Sequence, residues 1–151
     1  MTGLAKAFDP GTALLAKHAQ HVVLVHFPIA LFIAGVALDW VGRWTKRATL
    51  TDAAYYNLLI AAVSTLPVVV TGLLAWQFQL EGQLLKGILL LHLALGSISS
   101  VLIWTVWWLH FRARSRAVAM PRFLRTVECL AVLTVGLTGH LGGFLSGVSG
   151  G

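Results

Sequence analysis

Charge is scarce in this chain, and negative charge scarcest: 151 residues carry five Asp and Glu against eleven Lys and Arg. Charged residues reach 11%, where soluble domains carry about 25%. A water-soluble domain of this size is therefore excluded. A single cysteine, Cys129, excludes an intrachain disulfide. No serine or cysteine stands beside a convincing base, which leaves hydrolytic catalysis without support. No acidic residue falls at the middle of an apolar stretch: Asp39 and Glu128 sit near stretch ends, so an ion or proton transporter is disfavoured. There is no internal repeat and no low-complexity tract. The first twenty residues have scattered charge and no clean apolar core before a small-residue site, so they do not read as a cleaved signal.

What is present is apolar length. Hydrophobic residues make up 58% of the chain. Val22–Leu38, Ala53–Leu80, Gly87–Leu109 and Cys129–Gly151 contain no Asp, Glu, Lys or Arg, and each is close to or above the ~18 residues of a membrane-crossing helix. The expectation is an all-α integral membrane four-helix bundle, one domain over 1–151, with spans at about 20–41, 53–78, 84–110 and 121–146. Pro121 suits the first turn of the last helix, and Phe8–Thr12, "FDPGT", reads as a turn before the first. Pro28 frees the carbonyl near Leu24 and bends the helix around His26; Pro67 does the same in the second span. Gly35, Gly72, Gly96 and Gly136 are expected to serve close packing.

The net charge of +6 lies between spans, so it does not indicate nucleic-acid binding. Arg43, Lys46 and Arg47 lie after the first span, and Arg112, Arg114, Arg116, Arg122 and Arg125 between the third and fourth. Only Lys6, Lys17 and Lys86 fall on the other side. The positive-inside rule then puts both termini and the Gln77–Gln83 link on the periplasmic side of a bacterial inner membrane, and Trp40, Trp44, Trp107 and Trp108 mark the inner boundary.

Histidine is the unusual residue in such a setting. Midpoints and ~1.5 Å of rise per residue place His26 and His92 roughly 7 Å, and His140 roughly 6 Å, to the outer side of the bilayer centre. Three helices thus bring one imidazole each to one layer. His18 and His21 lie higher. His18 and His110 read as interfacial residues that reach water. A lone intramembrane histidine is often satisfied by a neighbouring helix, but three in one layer point to a site. His140 is flanked by Gly139, Gly142 and Gly143, which would let a flat group approach the backbone. Imidazoles without thiolates or carboxylates nearby suit a b-type haem with two axial histidines, or a copper or zinc site that could also use His21. Lys86, about 9 Å above His92, could meet a haem propionate, though a snorkelling lysine fits equally.

The stretch "HVVLVHFPIAL" (residues 21–31), His92 in the third span and "TGHLGG" (residues 138–143) resemble the bacterial membrane family known as domain of unknown function 2231, over roughly residues 18–147. In the family's first motif a proline usually stands where this chain has Val22, and its tyrosine-containing tail is replaced here by Phe144 and small residues. The resemblance implies four helices and these histidines. It also implies a redox setting outside the membrane, because some relatives are fused to Rieske iron–sulfur or cytochrome c domains.

The expectation is thus a cytochrome b-like electron-transfer subunit rather than a stand-alone enzyme. It would work between a periplasmic redox partner and the membrane, with quinone as a candidate acceptor. The alternatives are an accessory subunit packed into a larger redox or photosynthetic complex, and a three-histidine copper or zinc site.

Overall fold

The computed structural model describes residues 17–79 and 84–145, with the side chains of 17–19 and 79 outside that description. Among the described residues all regular secondary structure is helical, in the order α1 (Lys17–Leu24), α2 (His26–Thr45), α3 (Ala48–Gln79), α4 (Gly87–Arg116) and α5 (Leu124–Leu145). The expected turn at Phe8–Thr12 lies outside the described residues. Four helical segments are long and apolar enough to cross a membrane: Gln20–Thr45, Ala48–Phe78, Gly87–Arg116 and Leu124–Leu145.

The first span is interrupted where Pro28 removes the N–H that Leu24 would have received. The break is shallow. Val25 keeps right-handed helical angles, and its N–H still reaches the His21 carbonyl at 3.0 Å. Pro67 leaves α3 unbroken, as bundles permit when neighbouring groups take up the freed backbone. Two helices run further inward than hydropathy suggests. α2 continues through Arg43 to a left-handed Lys46, and α4 through Arg114 to a left-handed Ala117. Pro121 precedes the last helix instead of opening it, its carbonyl accepting from Leu124 at 3.1 Å.

Register can be read from close approaches. Leu58 packs on Gly35, Thr51 on Gly42 and His21 on Gly72, so α3 runs antiparallel to α1 and α2 in one continuous register. Thr138 faces Gly96, His92 faces Gly142 and His110 meets Glu128, an antiparallel pairing of α4 with α5. Trp104 bonds Thr65 across α4 and α3, while Ile29–Gly139 and Trp40–Glu128 join α2 to α5. Two tight hairpins therefore pack side by side.

The core between them is small: Phe32, Val36, Leu58, Ala61, Ala62, Ile103, Val106, Ala131 and Val135. Only 11% of the most apolar window of α4 is buried. The remaining apolar surface is left to lipid, which needs no water-excluding cover. Gly136 has no atom within 4 Å of a would-be Cβ, so it does not serve the close packing expected of it.

Candidate functional site

On α5 the buried side chains are Leu124, Glu128, Ala131, Val135 and Thr138, a 3–4 spacing that continues to Gly142. His140 lies on the opposite face, exposed, its ring edge-on to Phe144 at 4.8 Å. His92 lies on the face of α4 that meets this stripe. It is half-buried, donates Nδ1–H to the Thr138 carbonyl at 3.2 Å, and rests Cε1 3.1 Å from a would-be Cβ at Gly142. His26 is exposed and donates Nδ1–H to the Val22 carbonyl one turn earlier, at 2.7 Å. His21 is half-buried, with Nδ1 3.2 Å from Thr71 Oγ1 and its ring against Gly72.

The register settles the depths. Ile29 packs on Gly139, so three residues outward on each antiparallel helix His26 comes level with Gly142. His92 touches Gly142, and His140 lies two residues, about 3 Å, further in. His26, His92 and His140 therefore share a layer, although they do not face one point in it. The glycines beside His140 have separate surroundings: Gly142 seats the His92 ring and Gly139 meets Ile29 at 3.4 Å. Lys86 is exposed at the N-cap of α4. His18 lies where side chains are not described.

The end of the bundle away from the histidine layer holds a cluster that the reading of the sequence did not bring together. His110, expected to reach water, is 3% exposed. The correction follows from α4 continuing as helix past the apolar stretch. His110 thereby stays between helices and faces Glu128, which is fully buried. His110 Nε2 lies 3.1 Å from Glu128 Oε1, and His110 Nδ1 lies 3.9 Å from Asp39 Oδ1. Trp40 Nε1 donates to Glu128 Oε2 at 2.7 Å, and Arg43 Nε to Asp39 Oδ2 at 2.5 Å. Among the described residues, Asp39, His110 and Glu128 are the one set of three such side chains whose ligand atoms lie within 4.8 Å of one another. The signal that could have found them is a histidine and two acidic residues at matching depths on three helices. Asp39 and Glu128 read only as charges near span ends, and His110 as reaching water, so the three are not set side by side.

No curated protein and no solved structure is significantly similar to the chain. Residues 17–150 match the family described as "Predicted membrane protein (DUF2231)", and with nearly nine-tenths of its length so covered the chain belongs to that family.

Proposed function

We propose that this protein is a b-type cytochrome-like electron-transfer subunit of the bacterial inner membrane, with both termini periplasmic. Two of His26, His92 and His140 would hold a haem in the outer half of the bilayer. One observation carries the reading: His26 and His92, on different spans at one level, each give Nδ1–H to a backbone carbonyl. Metal-ligating histidines characteristically bond their second ring nitrogen in this way, which fixes the tautomer with the Nε2 lone pair available. The chain's own contribution is orientation of those rings, a low-dielectric apolar layer, and a cation at Lys86 on the outer end of α4. A haem so held supplies one-electron chemistry. The periplasmic redox partner, and quinone as the acceptor within the membrane, complete the proposal.

A second reading has an observation in its favour. His140 and Phe144 form an exposed pair on the outer face of α5, as an accessory subunit would present to a larger complex.

The test is a dithionite-reduced minus air-oxidised absorbance spectrum of protein expressed with haem supplied and purified in mild detergent. A sharp α band with a shifted Soret band, lost in two of the three single alanine variants at His26, His92 and His140, supports the cytochrome. A flat spectrum removes it, and metal analysis of the same sample then separates a copper or zinc site from the accessory subunit.

A further inference from the structure

We propose that Asp39, His110 and Glu128 form a binding site for one divalent transition-metal ion at the inner boundary of the bundle, reached from the cytoplasmic side. The site is independent of the haem reading. It lies on the opposite side of the core and shares no residue with the histidine layer.

Asp39 Oδ1 carries the argument. Asp39 is 1% exposed, and Oδ1 has no hydrogen-bond partner among the described residues. An unpaired buried carboxylate oxygen is costly. It faces His110 Nδ1 at 3.9 Å, well beyond the 2.7–3.2 Å of an N–H···O bond. An imidazole nitrogen up to about 2.1 Å and a carboxylate oxygen up to about 2.2 Å from one zinc ion can be at most about 4.3 Å apart. The observed gap lies inside that limit, so a single ion can touch both atoms.

The other ring nitrogen has the matching partner. With Nδ1 presented as a lone pair, Nε2–H donates to Glu128 at 3.1 Å. Glu128 is held in turn by Trp40. A carboxylate–histidine–metal arrangement is the usual support for a ligating imidazole. Glu128 thus serves the site by holding the imidazole, its Oε1 facing Nε2.

Charge and access agree. Two carboxyl groups, Asp39 and Glu128, and one imidazole meet the single Arg43 guanidinium in a nearly sealed cluster. A cavity of about 310 Å³ lies beside it, lined by Asp39, Arg43, Thr51, Tyr55, His110 and Arg114. Its two arginines are already matched, Arg43 to Asp39 and Arg114 to Asp52, so the cavity does not favour an anion. Imidazole and carboxylate oxygens without thiolate suit zinc, manganese or iron(II).

The test uses the full chain in mild detergent, stripped with a chelator and dialysed against Zn²⁺, Mn²⁺ or Co²⁺, with bound metal and the cobalt visible spectrum as readouts. The expected result is about one equivalent of at least one of these ions per chain. Binding should be lost in Asp39→Asn and His110→Gln, and weakened about 10–100-fold in Trp40→Phe. Asp39→Asn keeps side-chain shape, so it decides the matter if His110→Gln fails to fold. Wild-type protein that binds none of the three ions overturns the proposal. Binding that survives Asp39→Asn overturns it equally.

Discussion

The His92 ring sits on bare backbone: its Cε1 lies 3.1 Å from where a Cβ at Gly142 would stand. Together with the Nδ1–H···O=C bond to Thr138, this contact fixes the imidazole from two sides, both supplied by α5. The glycine-rich end of the chain is thus a set of unequal positions.

Gly142→Ala should therefore force the ring to move by a few tenths of an ångström or break its bond to Thr138. The expected cost is about 1–3 kcal/mol, as for other overpacked sites. Gly136→Ala on the same helix, which adds a methyl with no described atom within 4 Å, should be neutral or gain up to about 1 kcal/mol from reduced chain entropy. Thermal unfolding in detergent separates the two, and equal midpoints would show that His92 does not rest on Gly142.

The inner end of the first hairpin is tighter still. A Cβ on Gly42 would meet Thr51 Cγ2 at 2.8 Å, and Leu50 Cβ and the Thr51 backbone nitrogen at 3.0 Å. Backbone cannot turn aside as a side-chain tip can, so Gly42→Ala must push α2 away from the start of α3. A loss of about 1–3 kcal/mol is expected, against little change for Gly136→Ala. A Gly42→Ala protein as stable as the parent would mean that the hairpin closes less tightly than described.

Four apolar runs were enough to read the fold from sequence, because lipid imposes a length that a continuous uncharged stretch reports directly. Relative level was legible too: equal rise per residue in antiparallel helices brought His26, His92 and His140 to one level, and the packing of Ile29 on Gly139 and His92 on Gly142 agrees with that level. What depth could not give was azimuth. Whether a histidine points into the bundle depends on which face each helix buries. For α5 that face is the Glu128–Ala131–Val135–Thr138 stripe, with His140 behind it. The Asp39–His110–Glu128 cluster was missed for a related reason. Charged residues at a span's end look like a boundary in hydropathy, whereas helices continue beyond the apolar layer and can enclose them.

Orientation rests on the eight arginines and lysines that flank the two inner links, and labelling tests it directly. In a Cys129→Ala background, Leu84→Cys and Val118→Cys place one thiol at each end of the bundle, at residues 76% and 53% exposed. In intact cells a membrane-impermeant maleimide should label Leu84→Cys, and should reach Val118→Cys only after permeabilisation. The reverse pattern would invert the topology and move the histidine layer to the cytoplasmic half.

Removing the Glu128 carboxylate tests whether the inner cluster exists as a connected unit. Its two oxygens serve different partners, Oε2 accepting from Trp40 and Oε1 from His110, and no part of Glu128 is exposed. Glu128→Ala leaves the buried His110 without its acceptor, at about 1–3 kcal/mol, and deprives the partly exposed Trp40 N–H of its own. Glu128→Gln keeps the shape and one acceptor oxygen, and should retain more of the stability. Trp40→Phe removes only one of the two bonds. If all three belong to one network, Trp40→Phe combined with Glu128→Gln will depart from additivity by about 0.5–3 kcal/mol, the range seen for side chains in direct contact. Strict additivity in unfolding free energy would separate Trp40 from Glu128, and an unaltered Glu128→Ala midpoint would mean that α2, α4 and α5 do not meet at this carboxylate.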